Sequence, residues 1–207
     1  MGKILQKTII SLFIGIGIFF ALGVNADTFG YETAGTSYYN ISYCNFCSGC
    51  PPDYAKQVGS YFQAPENGTV TEIKAYLADG GYQHWNFKFG IFNESDGSFE
   101  GETTEGITTG GLFAWFAEDA SIDIISSNYY WLLVYGKACD TGYSNYKLRT
   151  KYDDGEDNGG ESNPNDYPNW EEPFSPTSQD RKYSIYATYT AAAAEEPTKK
   201  QDVIWFD

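Results

Sequence analysis

Period-two alternation constrains this chain more than any other feature. From Thr69 to Leu77, Thr71, Ile73, Ala75 and Leu77 fall on one face, and Glu72, Lys74 and Tyr76 fall on the other. That is the pattern of a half-buried strand. Asn86 to Phe92 repeats it, with Phe87, Phe89 and Ile91 on one side. Turn chemistry brackets the first segment, Pro65-Glu66-Asn67-Gly68 before it and Asp79-Gly80-Gly81 after it. Phe29–Thr33, Tyr38–Tyr43, Val58–Gln63, Leu112–Ala117, Ser121–Ile125 and Ser144–Tyr152 are further β-prone segments, and Thr103–Thr109 reads as an edge strand. Tyr129–Tyr135 is apolar on both faces, which predicts a central strand covered on both sides. Tyr183–Thr190 closes the series with Ile185 and Ala187 inward. Asn93–Gly101 and Asp153–Pro176 read as loops, the latter acidic and rich in Gly, Asn and Pro. No amphipathic helix and no internal repeat is visible. The expectation is an all-β, jelly-roll-like β-sandwich of about nine or ten short strands.

The first residues predict where the chain works. Lys3 and Lys7 precede an apolar run from Thr8 to Leu22, and Val24 and Ala26 stand just before Asp27. This is the layout of a secretory signal peptide over residues 1–26, too short for a comfortable membrane span. An uncleaved anchor is the alternative. Either way the remaining roughly 180 residues face an oxidising, extracytoplasmic setting and can bury a core without disulfides. Residues 27–190 read as the sandwich domain. Residues 191–207 read as a linker and an apolar tail containing Val203, Ile204, Trp205 and Phe206. Buried, those side chains are each favoured by roughly 1.5–3 kcal/mol over exposure. The tail is therefore expected to dock, either on its own sandwich or on a second copy by strand addition.

The formal charge is −15, from 28 acidic and 13 basic residues. Such a surface repels phosphate backbones, so nucleic acid is not an expected partner. Eighteen tyrosines and 22 glycines fit Gly-punctuated β structure rather than disorder.

A resemblance emerges along Gly59-Ser60-Tyr61-Phe62-Gln63-Ala64-Pro65-Glu66-Asn67-Gly68-Thr69-Val70-Thr71-Glu72-Ile73. This run resembles the start of a jelly-roll-type β-sandwich module of secreted microbial and phage surface proteins, akin to carbohydrate-binding modules. Tyr129–Tyr135 and the closing Arg181–Thr190 are similar to that family too. The resemblance spans Phe29 to Thr190 and lies in strand and turn residues, not in a catalytic motif. It implies a non-catalytic surface, adhesive or carbohydrate-binding role. The cysteine-rich insertion at Cys44–Cys50 departs from the family pattern.

Cys44, Cys47, Cys50 and Cys139 are an even set. Export favours two disulfides, of which Cys47–Cys50 with Cys44–Cys139 is one of three connectivities. A four-thiolate zinc or iron–sulfur site is the rival. His84, the only histidine, lies in a loop and reads as a surface residue, with no G-x-S-x-G or H-E-x-x-H motif beside it. Asp153, Asp154 and Asp157 offer hard oxygen ligands that could hold calcium, without EF-hand spacing. A solvated acidic loop is the plainer reading of the same residues. Trp85 and Trp170, with Tyr82 and Tyr167, lie in loops and could form a sugar platform, whereas Trp115 and Trp131 sit in strands and read as core. Asn40, Asn67 and Asn93 each begin an N-x-[ST] tripeptide, a glycosylation acceptor in a suitable host.

These readings converge on a secreted or cell-surface, non-enzymatic β-sandwich acting in adhesion, assembly or glycan binding. Its expected partners are a glycan or surface protein, or a second copy where the tail docks in trans rather than on its own sandwich, with no membrane contact after signal cleavage. Two alternatives stand beside it. One is a secreted carbohydrate-active hydrolase using a carboxylate pair. The other is a structural subunit of an extracellular layer or filament.

Overall fold

Tyr129–Tyr135, apolar on both faces, is indeed a central, covered strand, and the rest of the fold is arranged around it. The computed structural model describes residues 26–43, 54–80, 84–137, 147–164 and 167–193. Residues 1–25 of the expected leader, all four cysteines and the tail at Val203, Ile204, Trp205 and Phe206 lie outside the described residues. The described strands are β1 (Ala26–Gly30), β2 (Ser37–Tyr43), β3 (Tyr54–Ala55), β4 (Gln57–Gln63), β5 (Gly68–Asp79), β6 (Asn86–Asn93), β7 (Phe99–Glu102), β8 (Gly106–Ile107), β9 (Ala114–Ile124), β10 (Tyr129–Gly136), β11 (Lys147–Ser162), β12 (Thr177–Tyr183) and β13 (Ile185–Ala191). Every ladder is antiparallel, in the order β1-β13-β5-β11-β4-β10-β6-β7. The protein is an all-β sandwich, with no helix among the described residues. The strands exceed the nine or ten expected because short edge pieces such as β3 and β8 add to the tally.

Strand alternation fills two apolar layers. Inward residues of β5, β6 and β10 form the main core: Ile73, Leu77, Phe87, Phe89, Ile91 and Leu132 are fully buried there, with Ile185 and Tyr189 of β13. The other face of β10 and β6 carries a second cluster of Phe92, Trp131, Leu133 and Phe174. β10 is thus covered on both sides.

The structure corrects several expectations. Thr71 does not share the inner face. Against β13 the register shifts between Thr188 and Tyr189, which leaves Thr71 as an extra residue in β5, so Val70 is buried and Thr71 is exposed. Its hydroxyl instead donates to Thr188 O at 3.3 Å. Asp153–Pro176 is not one long loop. β11 runs on to Ser162, pairing with β12 and then β4, and Gly59 lies opposite Gly160. Glycine, Asp and Asn are poor strand formers, but pairing on both edges overrides that preference. Phe99–Glu102 is a strand against β6, and Leu112–Ala117 merges with Ser121–Ile125 into the single strand β9.

Candidate functional site

The part of Asp153–Pro176 that is not strand forms a strap over the second apolar cluster. Phe174 inserts between Phe92 and Trp131, with ring centroids 5.5 and 5.4 Å away. Its backbone N–H donates to Gly97 O at 2.9 Å. Trp170 packs against Phe92 (5.6 Å), Tyr135 (5.4 Å) and Phe99, the last stacked at 6.2 Å. Gly90 makes this approach feasible. A Cβ built there would stand 2.8 Å from the Trp170 ring. An isolated glycine in an alternating strand marks such a close approach, and this one was visible in the sequence.

Polar groups fasten the strap's rings at their edges. Trp170 Nε1–H donates to Glu102 Oε2 at 2.6 Å, and Lys88 Nζ holds Glu102 Oε1 at 2.7 Å. Tyr167 packs edge-on against Tyr135 at 5.0 Å, and its hydroxyl donates to Glu105 Oε2 at 2.6 Å. Burial, then the neighbouring Glu105 carboxylate, pushes the Tyr167 phenol far above its ordinary range, so it stays a donor. Between strap and sheet lies an open pocket of about 330 Å³, lined by Trp170, Phe99, Lys88, Glu102, Asn169 and Glu172. That size falls at the small end of ligand sites.

The sequence-predicted site residues separate. Trp170 and Tyr167 come together on the strap, and Tyr82 lies outside the described residues. Trp85 does not join them. It is 6% exposed, inside the main core, with its backbone N–H donating to Thr108 Oγ1 at 2.9 Å. The rings that hold Trp170, those of Tyr135, Phe92 and Phe99, lie in β10, β6 and β7 and do not stand out from core aromatics by sequence. Trp131 is core, as read, but Trp115 is half-exposed on an outer sheet face. His84 is exposed, with Nδ1 2.7 Å from Thr108 O.

The acidic triplet has other work. Asp153 accepts from Tyr31 Oη at 2.5 Å and from Thr36 N and Oγ1 at 2.8 Å each, tying β11 to the segment between β1 and β2. Asp154, its strand neighbour, points to the opposite face, and Asp157 is exposed in the irregular stretch before Gly159. Among the described residues no group of three or more His, Cys, Asp or Glu side chains comes together to hold a metal ion. The calcium set Asp153, Asp154 and Asp157 is therefore not assembled. Of the sequon residues, Asn67 Oδ1 accepts from Ser126 N at 2.7 Å, and Asn93 Oδ1 accepts from Ser95 N and Oγ. Asn40 Oδ1 is buried without a hydrogen-bond partner.

Asp153 makes a pH prediction. The Tyr31 hydroxyl first, then the Thr36 amide and hydroxyl, hold its carboxyl below the usual range. A depressed folded pKa contributes stability that is complete above the unfolded value of about 3.9 and lost as pH falls through the lower folded value. Asp153→Asn should therefore lower Tm at pH 7 yet narrow the gap between Tm at pH 7 and at pH 3. Parallel melting at both pH values checks this, and an unchanged gap would remove the assignment.

Comparison with protein-family models and with curated proteins finds no match.

Proposed function

We propose that this protein is an exported, non-catalytic β-sandwich that binds glycans at a cell or virion surface through the pocket under its strap. The observation that carries this reading is the Trp170 arrangement. An aromatic ring is fixed against Gly90, Phe92 and Phe99, with Lys88, Glu102, Asn169 and Glu172 around the same opening. Ring faces stack on the apolar faces of sugars, and fixed carboxylates and amides meet hydroxyls. Because packing and hydrogen bonds already hold the ring, little ordering entropy is lost on binding.

A hydrolase is the second reading, since Glu102 and Glu172 both line the pocket. Its geometry is less suited. Both Glu102 oxygens are engaged, one by the Lys88 ammonium and one by the Trp170 indole, which opposes a proton-donating role.

The test is a neutral-glycan array followed by titration of the best ligand. Trp170→Leu keeps apolar volume under the strap but removes the ring. It should weaken binding at least ~10-fold, a loss of about 1.4 kcal/mol, with the fold retained by circular dichroism. Binding unchanged in Trp170→Leu would dismiss the pocket. Release of reducing sugar, lost in Glu102→Gln, would favour the hydrolase.

A further inference from the structure

The molecule carries 28 acidic residues, yet one outer face gathers Lys147, Arg149, Lys151 and Lys74, with Asp153 and Glu72 at its margin. Lys147, Arg149 and Lys151 alternate along β11 and point away from the core, while Leu148 and Thr150 between them are buried. Strand geometry spaces such residues about 7 Å apart. Each lies over an aromatic ring: Lys147 Nζ is 4.8 Å from the Tyr43 centroid, the Arg149 guanidinium 5.0 Å from Tyr38, and Lys151 Nζ 5.0 Å from Phe113. The rings continue across β5, β9 and β13. Tyr76 stacks on Phe113 at 5.8 Å and leans on Trp115 at 5.2 Å, and Trp115 meets Tyr186 edge-on at 5.2 Å. Lys74 Nζ ends the row 5.8 Å from Tyr186. Lys74 is paired with Glu72, but among the described residues no carboxylate is paired with Lys147, Arg149 or Lys151.

We infer that this face is a second binding surface, and that its ligand is an acidic polysaccharide. Charge complementarity points to a polyanion, because cations with no ion pair among the described residues are gathered on one face of a chain whose formal charge is −15. Rings interleaved with the cations point to sugar, whose apolar faces stack while carboxylates or sulfates meet Arg149 and Lys151. Cation–π contacts already hold the charged groups in place. Nucleic acid fits less well. Single-strand binders track the backbone with a basic groove, whereas these residues stand on the open face of a sheet, and the remaining acidic surface repels a phosphate at every nucleotide. The surface is separate from the Trp170 pocket and stands if the pocket reading fails.

Polygalacturonate, neutral dextran and a dT oligonucleotide are titrated against the protein in low salt. Polygalacturonate should bind, dextran should not, and affinity should fall as salt rises. Arg149→Ala with Lys151→Ala should weaken binding at least tenfold, and Trp115→Ala should do so independently. Lys182→Ala, a cation over Tyr31 outside this row, should leave it unchanged. Arg149, Lys151 and Lys182 are half-buried, so each variant's melting is measured beside its binding, and a loss of binding counts only where the fold is retained. A neutral oligosaccharide held by the pocket should not compete. Equal or tighter binding of the oligonucleotide would replace the polysaccharide with nucleic acid. Polygalacturonate binding insensitive to Arg149 and Lys151, or no binding at all, would overturn the inference.

Discussion

Gly59→Ala should cost about 3–5 kcal/mol, a large part of the 5–15 kcal/mol that a domain of this kind has to lose. Gly59 is buried in β4, opposite Leu133 of β10 and Gly160 of β11. A Cβ built on it would stand 1.8 Å from Leu132 O. That oxygen belongs to the backbone of the covered central strand, so no side-chain rotation relieves the clash and the strands must part. The neighbouring Gly160 has a softer contact, 2.7 Å from Pro176 Cβ and 2.8 Å from the Trp131 ring. Gly155 is the control. Nothing lies within 4 Å of its built Cβ, but its φ of +91° strains any other residue, and Gly155→Ala should cost only about 1–2 kcal/mol. Urea unfolding of both variants measures the difference. Equal losses would mean that backbone freedom, not the β4–β10 approach, explains Gly59.

Thr108→Val should cost about 2–5 kcal/mol, although it changes one hydroxyl to a methyl. Thr108 is fully buried beyond β8. Its hydroxyl accepts from Trp85 N at 2.9 Å and donates to Asp79 Oδ2 at 2.9 Å. Asp79 is also fully buried, and its Oδ1 has no hydrogen-bond partner among the described residues. Valine leaves a buried amide and a buried carboxylate both unsatisfied, and a group stranded in this way costs more than a whole bond contributes. Replacing Asp79 by leucine in the Thr108→Val background should recover part of the loss. The unfolding free energies of the two singles and the double measure that coupling. If Thr108→Val lies within about 0.5 kcal/mol of the parent, an ordinary surface effect, the bridge contributes nothing.

Both sites show where sequence reading succeeds and where it stops. Phe87, Phe89 and Ile91 alternate cleanly, and all three are buried, because one face of β6 meets the main core. Tyr129–Tyr135 is legible for the opposite reason, since covering on both faces removes the polar positions. The second half of β11 is not legible. Its Asp, Gly and Asn residues have turn chemistry, and only pairing with β12 and β4, distant in sequence, holds them extended. Thr71, extra in β5 against β13, shows that one inserted residue reverses a face assignment. Trp85 stands in a loop by sequence, but its ring is turned into the core, and loop position alone does not report exposure. Trp170 and Tyr167 were visible as loop aromatics. Their partners Glu102 and Glu105 were not, because strap and edge strand are brought together only by the fold. The basic face was written plainly, as Lys147, Arg149 and Lys151 at alternate positions, and gains meaning once Leu148 and Thr150 are seen to be buried.

The strap pocket is the centre of the functional account, and indole NMR addresses it directly. Trp170 Nε1–H, identified by its absence in Trp170→Leu, donates to Glu102 beside the pocket, whereas Trp85 is buried in the main core and Trp131 is buried against Phe174 and does not line the pocket. Titration with the best neutral glycan from the array should shift the Trp170 indole resonance progressively to saturation and leave those of Trp85 and Trp131 in place. Saturable glycan binding with an unmoved Trp170 resonance, or with shifts confined to Trp115, would contradict the account and move the sugar site off the strap.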